Sequence, residues 1–461
     1  MSTLRVAGGR VVLPDHTVER ADVLIDREEG TIREVRSVDG GDDTVDTADD
    51  TVDTAADTVD TADDTLDADG GLVVPGLVNA HTHVAMTLLR GFVEDQPLEQ
   101  WLEETVWPVE AALEPADVRA GARLGVAEMI RAGVTAFSDM YFEVPETAAV
   151  VEQAGVRATL GHTAISVGKE SAAAHADMER SVTVAREVDG TADGRIRATV
   201  QPHNPATVDT DVLETHVPTA READLPLHYH TNESSREVSD VVEATGRRPI
   251  VYADDLGMLQ PGDTLAHCVD VDEREIERLA ERGVTVVHNP AANMKTASGI
   301  APVAELRAAG VPVALGTDGP ASNNDLDLFD EMCDAAMVAK LATGDAAALP
   351  AEAVFEMATV EGARALGIDS GRIEPGANAD LAVVDTSEPK FGPGHSPVTS
   401  LVYTADGSDV RHTICDGQVL MRDRTLTTID LSRARRDAER QARRLFDRAG
   451  VADTEPTTTV E

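Results

Sequence analysis

A regular alternation of strand-like and helix-like segments follows Gly70-Gly71, and it is the feature that most constrains how this 461-residue chain folds. Helix-like stretches such as 116–132 and 273–282 separate the strand-like segments. The eight strand-like segments are predicted to end at His83, Met140, His162, His203, Glu233, Val271, Pro290 and Gly319. Eight β/α units within about 240 residues predict an α/β fold of the (β/α)8 TIM-barrel type, with its active site at the carboxyl ends of the strands.

Shorter β-rich stretches flank this region and predict a second, smaller domain. We expect residues 1–41 and 370–430 to form a small β-sandwich domain beside a catalytic barrel over 71–369. The segment 431–461 is predicted as a C-terminal helix and tail, the helix covering roughly 431–448. One face of that helix collects its apolar residues, which are Leu431, Ala434, Ala438, Ala442 and Leu445.

Residues 42–70 carry an acidic repeat of seven residues that interrupts the β-rich start of the chain. Its units read DDTVDTA, DDTVDTA, ADTVDTA and DDTLDAD. Each unit has one large apolar residue, which does not provide the paired apolar positions of a coiled coil. The repeat is therefore predicted to be a solvated, disordered insertion. Calcium binding is a weaker reading, because no turn glycines punctuate the aspartates.

The charge balance is extreme, with 84 acidic residues against 39 basic ones and a formal net charge of -45. A folded protein with such an anionic coat is typical of halophiles, and the charge argues against nucleic acid as a partner. The three cysteines have no metal or redox spacing. No signal segment and no apolar run of about 18 residues is found, so we expect a cytoplasmic protein without membrane contact. Homo-oligomerisation is left open.

Histidines and acids recur at the ends of the predicted strands. His81 and His83 close the first strand two residues apart and so share one face. A single buried histidine is more often an ordinary core residue than a ligand. Chance does not put histidines at most of the strand ends, however. The others are His203, His228, His230, His267 and His288, with Asp318 at the eighth end. Three imidazoles and a carboxylate can bind a zinc-like divalent ion and leave a position for water.

The motifs that carry these residues resemble the amidohydrolase superfamily and, within it, an acidic haloarchaeal type of 5'-methylthioadenosine/S-adenosylhomocysteine deaminase. The similar segments keep the family's order over about 70–460. They are PGLVNAHTHVAMTLLRG (75–91), WPVE (107–110), VQPHNP (200–205), HYHTNE (228–233), AHCVDV (266–271), HNPAANMKTASGIAPV (288–303), GTDGPASNN (316–324) and GRIEPGANADLAVVD (371–385).

The resemblance implies a role for each matching residue. The metal ligands would be His81, His83, His230 and Asp318. Catalysis would use Glu233, His267 and Asp318, and the substrate would be held by Glu110, His203, Glu233 and Asp318. His228 is a competing ligand candidate, although the family spacing of three residues between histidine and glutamate selects His230. A single divalent ion, Zn²⁺, is expected, because no lysine ends a predicted strand to bridge a second metal.

The implied reaction is hydrolytic deamination of adenosine derivatives that carry a 5' substituent. 5'-Methylthioadenosine, S-adenosylhomocysteine and 5'-deoxyadenosine would each yield the inosine analogue and ammonia. In this reading the ion activates water, Asp318 and His267 handle its proton, and Glu233 protonates adenine N1. Trp101 is a candidate wall of the purine pocket, with core packing as the alternative.

Two functions other than deamination are alternatives for this chain. One is displacement of halide or amide from another heteroaromatic ring, as in a chlorohydrolase. Glu110 beside Glu233 favours a ribonucleoside over this alternative. The other is a non-catalytic scaffold, which should lack the ligands that are present here. Where family members have carboxylate-binding arginines, this chain offers His162 and Lys169, so neutral 5' groups are expected to be used at least as well as S-adenosylhomocysteine.

Overall fold

The computed structural model describes residues 2–38, 62–92 and 94–451. Its strands are β1 Thr3–Val12, β2 Val18–Asp26, β3 Thr31–Ser37, β4 Asp64–Asp67, β5 Leu72–Pro75, β6 Leu77–Thr82, β7 Val134–Tyr141, β8 Arg157–Ala164, β9 Ile196–Ala198, β10 Gln201–Pro202, β11 His228–Thr231, β12 Thr264–His267, β13 Thr285–His288, β14 Val313–Leu315, β15 Leu381–Val384, β16 Val410–Cys415, β17 Gln418–Arg422 and β18 Thr425–Leu426. Its α-helices are α1 Leu98–Trp101, α2 Trp107–Glu110, α3 Pro115–Arg131, α4 Val144–Ala154, α5 Ser171–Val188, α6 Thr210–Glu222, α7 Ser235–Thr245, α8 Pro249–Asp255, α9 Glu273–Arg282, α10 Pro290–Lys295, α11 Val303–Ala308, α12 Leu328–Thr343, α13 Ala351–Met357, α14 Val360–Ala365, α15 Pro397–Tyr403 and α16 Leu431–Ala449.

Both ends of the chain contribute to one nine-stranded sheet. Its order is β18-β17-β16-β15-β5-β1-β2-β3, with β4 paired to β1 off that path. Strand β5 joins the two halves, because it lies parallel to β1 on one side and antiparallel to β15 on the other. N-terminal and C-terminal strands therefore share one sheet, and β5, which ends at Pro75, lies between them.

The last repeat unit is structured, which differs from the expected disordered insertion over 42–70. Strand β4 runs parallel to β1 with Leu4 opposite Asp64 and Ala7 opposite Asp67. Leu66 is 1% exposed and packs in the apolar layer of the nine-stranded sheet. The one large apolar residue of this unit thus finds a core, and burying it stabilises the strand. The units within 42–61 lie outside the described residues.

Two parallel sheets carry the remaining strands. One has the order β10-β8-β7-β6, with β9 paired to β8, and the other the order β11-β12-β13-β14. Single bridges join them at both edges, between Val200 and Leu227 and between Thr82 and Asp318. Helices connect most consecutive strands, so the predicted α/β fold with parallel strands is confirmed.

Strands occur at all eight predicted positions, but the sixth and the eighth, β12 and β14, each end four residues earlier than predicted. Strand β12 stops at His267 rather than Val271, because His267 and Cys268 have φ angles of 76° and 47°, outside the extended region. The turn after β12 therefore begins at His267, which is itself a predicted site residue. His267 is thus the last residue of its strand, as His288 is in β13.

Local sequence sets the ends of several helices that follow these strands. Helix α9 begins with a capping box in which Asp272 and Glu275 each accept the other's backbone N–H, and Gly283 ends it with a φ of 65°. Helix α16 follows its predicted span closely, with Ala434, Ala438 and Leu445 buried. No helix in the described parts of the chain is long and apolar enough to cross a membrane.

Candidate active site and metal centre

The ends of strands β6, β11, β12 and the segment after β14 bring four potential ligands together. His81, His230, His267 and Asp318 each offer an atom such that all four atoms lie within 4.8 Å of one another. All four residues are buried. His83 adjoins this group, its Nε2 lying 3.1 Å from Asp318 Oδ1 and 3.3 Å from His230 Nε2.

Backbone carbonyls fix the tautomers of two of these histidines. His83 Nδ1 lies 2.5 Å from the carbonyl oxygen of Met140, and His230 Nδ1 lies 2.9 Å from that of His203. A carbonyl oxygen can only accept, so each Nδ1 must carry a proton, and in the neutral imidazole Nε2 is then the atom with the lone pair. His83 Nε2 faces the Asp318 carboxylate, and a ring nitrogen of His230 lies within 4.8 Å of a carboxylate oxygen of Asp318, which is the kind of grouping that a ligated cation needs.

The ring of His81 is oriented by the side chain of His228 rather than by a backbone carbonyl. Its Nδ1 is 2.8 Å from His228 Nε2, and His228 Nδ1 is hydrogen-bonded to the Thr264 hydroxyl. His81 Nε2 is buried without a hydrogen-bond partner and lies 3.3 Å from Asp318 Oδ1. Both ring nitrogens of His228 are therefore already paired, one with His81 and the other with Thr264, which leaves His230 as the ligand candidate on β11.

His267 and Glu233 face each other at the edge of the ligand group. His267 Nε2 lies 3.7 Å from Glu233 Oε2, while its Nδ1 lies 2.8 Å from Asn293 Oδ1. Burial raises the pKa of Glu233 well above 4.5, and the charge of Asp318 raises it further. A pKa shifted in this direction favours the protonated carboxyl, which is the state of a general acid.

Asp318 is the anionic centre of the group. Burial raises the pKa of its carboxyl, but the imidazoles of His81 and His83, which face this carboxylate, outweigh burial and hold the pKa well below 3.8. Its other oxygen accepts a hydrogen bond of 2.6 Å from Ser322 Oγ. Ser322 was not predicted as a site residue, although it lies within the GTDGPASNN motif that pointed to the eighth strand end.

A concavity opens directly above the ligand group and encloses about 570 Å³ of space free of atoms. Aromatic and aliphatic side chains form most of its wall, and the expected Trp101 is among them. The lining residues are His83, Met86, Leu98, Trp101, Leu102, Val106, Trp107, Glu110, Met140, Tyr141, Phe142, Thr163, Ile165, His203, His230, Glu233, His267, Asp318 and Ser322. A ring-shaped apolar ligand fits such a wall.

Two predicted substrate contacts, Glu110 and His203, lie in this concavity. Glu110 Oε1 is buried without a hydrogen-bond partner, and burial raises the pKa of its carboxyl to about 7. His203 Nδ1 lies 2.8 Å from the Thr207 hydroxyl, and burial lowers the pKa of His203 to about 3. The structure thus brings together all eight residues that the sequence nominated. Phe142, Thr163 and Ile165 were missed, because apolar wall residues have no sequence signature distinct from core residues.

Comparison with known proteins agrees with this site. Residues 72–420 match the model of the amidohydrolase family. A 5-methylthioadenosine/S-adenosylhomocysteine deaminase of Haloarcula marismortui is 56% identical over 453 residues, which are 98% of this chain and 100% of that protein. A protein of the same name from Natronomonas pharaonis is 54% identical over 449 residues, covering 97% and 99% of the two chains.

A solved structure is similar over nearly its whole length. The crystal structure of an adenosine deaminase from Xanthomonas campestris with bound zinc has a TM-score of 0.86 and 35% identity, and the match covers 97% of this chain and 99% of that one. Fold and site together define a metal-dependent hydrolase-type enzyme. The chain belongs to the amidohydrolase family and, within it, to the group of the 5-methylthioadenosine/S-adenosylhomocysteine deaminases. The resemblance stated from the motifs is confirmed.

Proposed function

We propose that this protein is a zinc-dependent aminohydrolase that converts 5'-substituted adenosines into the inosine analogues and ammonia. The substrates are 5'-methylthioadenosine, 5'-deoxyadenosine and S-adenosylhomocysteine. The observation that carries the proposal is the position of the largely buried Glu233, whose pKa burial raises, beside His267 and the His/Asp ligand group. The names of the two haloarchaeal relatives support the same reaction.

One divalent ion fits the side chains of this centre. His81, His83, His230 and Asp318 would hold it, since the Nε2 atoms of His81 and His83 face one carboxylate oxygen and His230 Nε2 lies 3.3 Å from that of His83. The unpartnered Nε2 of His81 supports this assignment. Three nitrogen ligands and one oxygen suit zinc, and the similar Xanthomonas structure contains zinc. When bound, the ion supplies the Lewis acidity that makes water a nucleophile at neutral pH.

The chain's own residues would then move the protons. Asp318 and His267 are placed to accept and orient the proton of the attacking water. Glu233 donates its proton to adenine N1, so that electrons shift away from C6 as the new bond forms. The proton taken from the water passes to the departing amine, which leaves as ammonia, and the proton that the C6 hydroxyl loses as the carbonyl forms restores the Glu233 carboxyl.

Glu110 and His203 would hold the ribose. The neutral imidazole of His203 has Nε2 free, because Nδ1 is engaged with Thr207. Glu110 offers an unpartnered oxygen that can accept from a ribose hydroxyl. The aromatic rings of Trp101 and Trp107 line the same concavity and are suited to pack against the purine.

We also propose that the two parallel sheets close into a (β/α)8 barrel over 71–369. The bridges at both sheet edges support closure. The strands of 1–41 and 370–430 would form the accompanying small β domain. This arrangement places the ligand group at the carboxyl ends of the strands, where TIM-barrel enzymes have their active sites.

The test is ammonia release from a substrate panel in concentrated KCl. The panel contains the three proposed nucleosides, free adenine and a chlorotriazine. Turnover of the nucleosides, with inosine analogues as products, is the expected result. Chloride release from the triazine without nucleoside deamination would contradict the proposal and favour a chlorohydrolase.

A further inference from the structure

One wall of the active-site concavity is apolar apart from a single hydroxyl and lies next to the proposed ribose contact. It consists of Phe142, Thr163 and Ile165, two of which belong to the end of β8 and the loop that follows it. The Thr163 hydroxyl is buried without a hydrogen-bond partner. The backbone N–H of His203 donates to the carbonyl of Ala164 at 2.9 Å, which places His203 beside this wall. A substituent on the ribose that His203 contacts therefore approaches these three residues.

A charged cluster stands directly behind this wall. The carboxylate of Asp177, on helix α5, accepts hydrogen bonds from His162 Nε2 at 2.9 Å, from Lys169 Nζ at 2.6 Å and from the backbone N–H of Ile165 at 3.0 Å. Burial raises the pKa of Asp177, but the bonds from His162 and Lys169 outweigh it and lower the pKa to about 2. Asp177 is thus an anion at neutral pH, and its charge balances that of Lys169.

No Lys or Arg is among the described residues that line the concavity. Arg180, also on α5, has the carboxylate of Glu143 at 3.9 Å and is about half exposed. Lys169 lies in the loop after β8, four residues beyond the wall residue Ile165, and its ammonium group is held by Asp177.

We propose that Asp177 is a specificity-determining residue, which pairs with Lys169 behind the wall and so directs the enzyme to substrates with a neutral 5' group. This inference rests on the proposed deamination of 5'-substituted adenosines. A homocysteine tail carries a carboxylate and an ammonium, and each loses hydration beside a wall that offers one threonine hydroxyl but no charged partner. A methylthio group or a hydrogen has no such cost and fits beside Phe142 and Ile165.

The experiment compares kcat/KM for 5'-methylthioadenosine, 5'-deoxyadenosine and S-adenosylhomocysteine at one salt concentration. Wild type, Asp177→Asn and Lys169→Met are measured side by side. Asparagine retains an oxygen that can accept from the Ile165 N–H but does not hold Lys169 by charge. A matched control is Lys390→Met, because Lys390 forms a pair of the same 2.6 Å length with Asp406, away from the concavity.

We expect wild type to use the neutral substrates at least as well as S-adenosylhomocysteine. Asp177→Asn should raise the ratio of S-adenosylhomocysteine to 5'-methylthioadenosine about fivefold or more, since it releases Lys169 for the tail carboxylate. Lys169→Met and Lys390→Met should leave that ratio within about twofold of wild type.

Three results would overturn the inference while leaving deamination intact. The first is a wild-type preference for S-adenosylhomocysteine above about tenfold, which corresponds to 1.4 kcal/mol. The second is a selective loss of S-adenosylhomocysteine turnover in Lys169→Met, which shows that Lys169 binds the tail. The third is an unchanged or lowered ratio in Asp177→Asn. Failure of the proposed function is separate, because wild type would then release no ammonia from 5'-methylthioadenosine.

Discussion

Replacing Glu233 by glutamine should separate the chemistry from metal binding. Glutamine has nearly the same shape and retains an N–H donor, but it cannot transfer a proton to adenine N1. The side chain is only 13% exposed, and its Oε2 lies 3.7 Å from His267 Nε2. A positioned general acid contributes about 10²–10⁴ in rate, and we expect kcat to fall by that factor, or about 2.7–5.4 kcal/mol of transition-state stabilisation.

The remaining properties of Glu233→Gln should stay close to wild type. None of the proposed metal ligands changes, so one ion per chain is expected by elemental analysis. KM should change less than about threefold, since the loss falls on the transition state. The assay is ammonia release at saturating substrate, with Glu243→Gln, an exposed position on α7, as the control. Turnover within tenfold of wild type, with the metal retained, would refute the proton-donor role.

Five further changes test the metal centre, the repeat segment and the nine-stranded sheet. His230→Ala and Asp318→Ala should each lose bound zinc and activity together, and stoichiometric zinc in either purified variant would remove that residue from the ligand set. His228→Ala should weaken zinc affinity about 10–100-fold in a chelator competition, as expected for a residue that orients a ligand; unchanged affinity would rule that role out. Deleting 42–61 should leave kcat/KM within about twofold, because long surface insertions have a small entropic effect. By contrast, Leu66→Ala should lower the free energy of unfolding by about 2–5 kcal/mol in denaturant titrations, and a change below 1 kcal/mol would show that β4 contributes little.

The strand ends were predictable because side-chain chemistry and strand position coincide there. His81 and His83 share a face by the two-residue period of a strand, and the structure places both at one point with Asp318. The role of His228 was not predictable, since it shares the same face of β11 as His230. Only the distance of 2.8 Å to His81 Nδ1 separates an orienting residue from a ligand.

Other features depend on tertiary contacts that no local pattern encodes. The repeat unit that contains Leu66 has one large apolar residue among acidic residues, as the preceding units do. Its burial against β1 nevertheless makes this unit a strand. The pairing of Lys169 with Asp177 joins residues eight positions apart through a loop and a helix. The sixth strand was predicted to be four residues longer than it is. The turn at His267 depends on positive φ angles at non-glycine residues, which the sequence does not signal.

The most direct test of the central claim is the position of the metal in a crystal of the zinc-loaded enzyme, from anomalous scattering at the zinc edge. The account predicts one peak per chain, about 2.0–2.2 Å from the Nε2 atoms of His81, His83 and His230 and from an oxygen of Asp318. His267 would then lie beside the ion without ligating it. A peak ligated by His267 in place of His83, or two peaks in the group, would contradict the single-ion site from which the deamination mechanism is derived.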